Sequence, residues 1–170
     1  LLRLSLDLLY SVTGLLGGII STALMTFTEI PSWRKWGLQG VFEWHENQII
    51  TSRLLGLSDD KEKKKNDIHF SGIFFFHFLN GSLAGIAFPF IIIFFFSGII
   101  NNVTLLLLLG VVYGFILWII TLVPIHKPIT GLSPWNHPLG RMPALASLGG
   151  HIVYGFALGS IIFTFHNLDM

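Results

Sequence analysis

Cysteine is missing from this chain, and only 11% of its 170 residues carry a charge. The first absence removes disulfides and thiolate metal ligands, and it leaves the redox compartment unreadable. The second separates the chain from ordinary soluble domains, in which about a quarter of residues are charged. The shortage is local. Leu8–Thr28, Phe70–Ile100, Val103–Ile125 and Ala144–Phe165 contain no Asp, Glu, Lys or Arg at all. Each stretch exceeds the ~20 residues that cross a bilayer core as a helix. In lipid the backbone amides have to bond internally, so these spans are expected as helices rather than strands. The prediction is an all-α membrane protein: one domain, a bundle of four transmembrane helices near 8–28, 70–100, 103–125 and 144–166, with loops 29–69 and 126–143.

Several catalytic signatures are missing too. There is no His-Glu-x-x-His, no Gly-x-Ser-x-Gly, no phosphate-binding glycine loop followed by Lys, and no histidine-box cluster of the membrane desaturase kind. No Asp or Glu lies inside the four spans, although intramembrane acids are the usual mark of proton or cation coupling.

What charge there is has a sidedness. Arg34, Lys35, Arg53, Lys61, Lys63, Lys64 and Lys65 lie between the first two spans, Lys127 and Arg141 between the last two, and only Arg3 on the other side. Positively charged short loops stay cytoplasmic, so both termini are expected outside and both longer loops inside. Trp33, Trp36, Trp118 and Trp135 fall near span ends, as an interfacial aromatic belt requires. The first span is longer than the apolar core of a signal peptide and no small-residue cleavage site follows it, so it is expected to be a retained helix. Basic residues confined to juxtamembrane loops give nucleic-acid binding no support.

Within the spans, His-x-x-x-Gly-x-x-x-Gly occurs twice, as His77…Gly81…Gly85 and His151…Gly155…Gly159. Helical geometry puts each imidazole and its two glycines on roughly one face. The repeat suggests two duplicated helical hairpins, from about Leu8 to Ile100 and from Val103 to His166, against convergence of similar apolar helices. Gly14/Gly18, Gly81/Gly85, Gly110/Gly114 and Gly155/Gly159 give every span a small pair at spacing four, which reads as packing grooves. His77 and His151, with Asn80 and Tyr154, form the candidate cofactor or core polar site. Two imidazoles at one depth on diagonal helices could hold a haem b iron axially, while interhelical hydrogen bonding is the plainer reading and no cofactor the main expectation.

Between the first two spans, Trp33–Leu57 reads as an amphipathic helix lying on the membrane. Leu38, Phe42, His45 and Ile49 fall on its lipid side, and Gln39, Glu43, Glu46 and Asn47 on its water side. Ser58–Asp67 reads as a solvated turn that can meet anionic head groups. The second loop, Pro124–Pro143, holds five prolines and is expected to be an irregular cap. Glu29, Glu43, His45, Glu46, His126, His137 and Arg141 form an inner-surface polar cluster. Its carboxylates and imidazoles are types that suit zinc, iron or copper, but the spacing fits no metal signature and no metal is expected. Glu29, just before Pro31, is expected to end the first helix or to bind the second loop through Arg141 or Lys127.

Gly14-Leu-Leu-Gly17-Gly18-Ile-Ile-Ser-Thr22-Ala-Leu-Met25 in the first span, and Pro138-Leu-Gly140-Arg141 leading into Gly150-His151-Ile-Val-Tyr154-Gly155-Phe-Ala-Leu-Gly159 in the last, resemble a family of small uncharacterised prokaryotic four-helix membrane proteins. The Lys-rich stretch Asp59–Asp67 is peculiar to this sequence. The resemblance implies the fold and a common His-Tyr-Gly face on the last helix, and no catalytic residue. The functional expectation is a non-catalytic accessory subunit, partnered by other integral-membrane subunits and lipid, in a membrane oxidoreductase such as a respiratory complex or a copper-dependent monooxygenase. The alternatives are a b-type haem protein and a small oligomeric channel or transporter.

Overall fold

The structure, a computed structural model, describes residues 2–56 and 68–168; the expected Ser58–Asp67 turn lies outside the described residues. Six α-helices follow one another: α1 Leu2–Trp36, α2 Phe42–Leu54, α3 Phe70–Phe95, α4 Val103–Ile120, α5 Lys127–Thr130 and α6 Met142–Leu168. A π-helix, Thr121–His126, joins α4 to α5 without a break. No strand occurs among the described residues. Four helices are long and apolar enough to cross a membrane: α1 from Leu8, α3, α4 with its continuation to Thr130, and α6.

Two helix ends differ from expectation. α1 does not stop at Glu29 but runs through Pro31 to Trp36. A proline mid-helix removes only the bond to the carbonyl four residues back, here that of Phe27, and the polar groups around Glu29 hold the last turns in place. Gly37, at φ +67°, is where the helix ends. The second difference concerns Pro124, where an irregular cap was expected to begin; the chain stays helical to Thr130. The wider π turn relieves the clash between the Pro124 ring and the carbonyl of Ile120. Beyond Gly131 the loop is irregular, as its prolines require. At the other end of the molecule α3 ends at Phe95, earlier than expected, and the side chain of Asn102 caps α4 by accepting from Leu105 N–H at 3.1 Å.

The long helices pack as α3–α1–α6–α4, with α1 and α6 in the middle. Glycines make the seams. A Cβ on Gly14 would sit 2.6 Å from the carbonyl oxygen of Gly85, and one on Gly18 would sit 2.5 Å from that of Gly81. On the α4–α6 seam, a Cβ on Gly155 would run into the Gly110 carbonyl, and one on Gly114 into that of His151. Backbone meets backbone at both seams, an approach that a larger residue would prevent. Towards the chain termini the interior is closed by Phe88, Ile92, Leu106, Leu158 and Ile162, all fully buried.

α2 is the main departure from the sequence reading. Its polar side is not turned to water. Phe42, Glu43, Trp44, Glu46, Asn47, Thr51 and Ser52 are all buried, so the side assigned to solvent faces the protein. α2 is wedged between the long helices by specific bonds. Asn47 donates to the Ile73 carbonyl at 3.3 Å, Gln48 accepts from His69 N–H at 2.9 Å, and Arg53 donates to the Ile129 carbonyl at 3.0 Å. Thr51 fills the space beside Gly72. Buried polar groups persist when each finds a partner, and here the partners are other helices.

Candidate functional site: an acid–histidine chamber

The inward face of α2, with faces of α1, α3, α4, α6 and the π-helix, borders a cavity of about 270 Å³. Glu43, Glu46, His77, Asn80, His151 and Tyr154 give its wall a polar character, and Met25, Ala84, Leu117 and Ile125 supply the apolar part. The polar side chains come in pairs from three helices, Glu43 and Glu46 from α2, His77 and Asn80 from α3, and His151 and Tyr154 from α6. At 1.5 Å rise per residue, His77 lies roughly 10 Å into α3 and His151 roughly 13 Å into α6, so the two reach similar depth from the α2 end.

Carboxylates and imidazoles meet in pairs. Glu29, 1% exposed, accepts from the Trp44 indole at 2.8 Å, and the same oxygen lies 3.4 Å from Nε2 of His77. Glu43 accepts from the Ser147 hydroxyl, and its Oε1 stands 3.6 Å from Nδ1 of His151. Nδ1 of His151 is 2.9 Å from the Ser147 carbonyl. A carbonyl only accepts, so Nδ1 carries a proton. Glu46 bonds Nδ1 of His126 at 2.7 Å. Burial, with Glu43 adding a like charge nearby, pushes the Glu46 carboxyl up to about 9.

Tyr154 spans the chamber from α6, donating to the Gly81 carbonyl of α3 at 2.6 Å. Tyr113 of α4 does the same to Ala84 at 2.7 Å. Asn80 stands exposed at the chamber's edge. Outside this constellation, Phe42 packs against His126 and His137 at ring-centroid distances of 4.1 and 5.4 Å, and His45 lies 6.4 Å from His126. Burial first, then the neighbouring imidazoles of His126 and His137, lowers His45 to about 4; burial and His126 lower His137.

The structure thus joins the two groups that the sequence kept apart. His77, His151 and Tyr154 share one cavity with Glu43 and Glu46, and Glu29 reaches it through His77. His126 and His137 are buried beside it, His45 is half-buried, and Arg141 and Lys127 remain exposed. The expected pairing of Glu29 with Arg141 or Lys127 is replaced by contacts to Trp44 and His77, because α1 continues past Glu29 and carries it inside. Sequence reasoning missed Trp44 and Ser147. The signal available was Glu43-x-x-Glu46-Asn47, whose spacing puts three polar side chains on one helical face.

Several polar atoms of this region are buried without a hydrogen-bond partner among the described residues: Oε1 of Glu29, Oε2 of Glu43, Nε2 of His77 and Nε2 of His126. Among the described residues, no three His, Asp or Glu side chains meet around one point as they stand. The chain matches no family model, no curated protein and no solved structure.

Proposed function

We propose that this chain is an integral-membrane, non-catalytic binding subunit of a larger membrane assembly, and that the acid–histidine chamber is its working part. One observation carries the reading. Glu43, His77 and His151 come from three helices to one cavity, with Glu29 3.4 Å behind His77, and buried oxygens of Glu29 and Glu43 are left without a hydrogen bond. Buried polar groups without partners raise the free energy of the fold by roughly 1–3 kcal/mol each, which a ligand that satisfies them returns on binding. The fully buried apolar layer between the chamber and the terminal end favours a closed site over a path through a single copy. Exposed Phe75, Phe94 and Phe95 suit lipid or neighbouring subunits alike. The loops 29–69 and 126–143 would face the cytoplasm under the positive-inside rule, and the host would be a membrane oxidoreductase.

The haem reading has in its favour that His77 and His151 line one cavity, and against it the carboxylates beside both rings and the Tyr154–Gly81 bridge one turn away. Gentle solubilisation followed by native mass spectrometry tests the proposal. The expected result is a complex with other membrane proteins and a ligand mass that Glu43→Gln removes. A bare monomer carrying nothing would refute it, and a Soret band lost on His151→Ala would establish haem instead.

A further inference from the structure

We propose that the chamber is entered sideways from the bilayer, between α3 and α4, by an uncharged lipophile whose hydroxyl-bearing head bonds Asn80 and Tyr154. The inference rests on the reading of the chamber as a binding site and names the class of its ligand. The way in follows from the packing order. α3 and α4 are the outer members of the row α3–α1–α6–α4, so no glycine seam closes the flank between them. Tyr113 ties them together towards the terminal end: its hydroxyl donates to the Ala84 carbonyl at 2.7 Å, and its ring stands 4.9 Å from that of Phe88. One turn nearer α2, Asn80 of α3 and Leu117 of α4 border the same cavity from the two sides of that flank. α2 covers the chamber on the loop side, pinned through Asn47, Gln48 and Arg53. An entrance between two membrane-spanning helices opens to hydrocarbon rather than to water.

Asn80 is the residue that points to a ligand. It stands ten residues after Phe70, roughly 15 Å into α3, near the middle of a hydrocarbon core about 30 Å thick. Its amide is exposed at the chamber's edge and makes no hydrogen bond among the described residues. A bare amide at that depth is costly, because lipid offers it no partner. The Tyr154 hydroxyl gives its proton to the carbonyl of Gly81, the residue next to Asn80, at 2.6 Å. Its oxygen can still accept. The amide donates and the phenol oxygen accepts, so a single ligand hydroxyl satisfies both.

Charge and size narrow the class. No Lys or Arg lines the chamber, while Glu43 and Glu46 do. A phosphate or carboxylate head would therefore meet carboxylates with no cation to balance it. An ammonium head would have to shed its water to pass the hydrocarbon entrance. An uncharged head escapes both costs. Met25, Ala84, Leu117 and Ile125 supply apolar wall. At about 270 Å³ the cavity falls below the usual ~300–1,000 Å³ of small-molecule sites, so it takes the head while the tail trails out between α3 and α4.

The test uses the full chain in nanodiscs of zwitterionic phospholipid, with a long-chain primary alcohol carrying a diazirine beside its hydroxyl. Light should attach this probe to residues 80–84 and 117–125. Dodecanol and dodecylphenol should both compete, and the stronger of the two tells a chain hydroxyl from a ring hydroxyl. Dodecyl phosphate and dodecyltrimethylammonium should compete far more weakly. Asn80→Leu should lower labelling about tenfold, the loss of one buried hydrogen bond. It should melt no lower than the parent, a result that a structural role for the amide would not give. Leu117→Trp fills the mouth and should lower labelling too, whereas Leu83→Trp, on the exposed side of α3 outside the chamber, should label as the parent does. Equal labelling of the parent and folded Asn80→Leu overturns the inference, and so does a preference for either charged amphiphile or no labelling at all. In each of those cases, a ligand mass retained in native mass spectrometry and lost on Glu43→Gln would leave the chamber a binding site, whereas an empty chamber would end both readings.

Discussion

Two alanine substitutions on one helix isolate what the glycine seams contribute. Gly155 and Gly149 both lie inside α6. A Cβ at Gly149 would meet nothing within 4 Å, whereas one at Gly155 would run into the Gly110 carbonyl, stand 2.8 Å from its carbon and 3.0 Å from the nitrogen of Gly114. Those atoms are backbone and cannot swing aside, so α4 and α6 have to separate. The helix-propensity gain of Gly→Ala, about 0.5–1 kcal/mol, is common to both variants and cancels in their difference. What remains is the overpacking at the seam, typically about 1–3 kcal/mol. Gly155→Ala should therefore be less stable than Gly149→Ala by about that amount, roughly a thirtyfold change in the unfolding equilibrium at the middle of the range. Reversible unfolding in mixed detergent, followed by circular dichroism, measures it. Equal stability of the two variants would show that α4 and α6 do not approach at these glycines.

Three further outcomes are expected. Tyr154→Phe keeps the ring and removes the 2.6 Å bond to Gly81, so it should lower stability by about 1 kcal/mol in the same unfolding assay. Trp44→Phe leaves a buried Glu29 oxygen without its indole donor and should cost about 1–3 kcal/mol; no loss would detach α2 from α1. Because the chain has no cysteine, Leu55→Cys at the exposed end of α2 gives a single label site. An impermeant maleimide should reach it only after the cells are opened, and labelling of intact cells would invert the orientation.

The comparison between sequence and structure turns on particular residues. The four apolar helices were legible because lipid demands a long uncharged run, and that demand is written one residue after another. Which helix each glycine meets was not legible, because spacing four puts a pair on one face without naming what lies opposite. α2 was misread for a physical reason. A polar stripe on a helix looks the same in sequence whether it meets water or the polar groups of other helices. Glu43, Glu46 and Asn47 were given to solvent, yet Ser147, His126 and the Ile73 carbonyl were waiting for them on elements up to 104 residues away.

From its own order of residues, then, the chain determines that four helices form and that they are apolar enough to cross a membrane, since hydrophobicity and backbone bonding are local properties. Where its acids and imidazoles go is decided only in the assembled structure. A buried charge is tolerable only beside its partner, and the partners here lie on helices that are distant in sequence and adjacent only once α2 has packed among them.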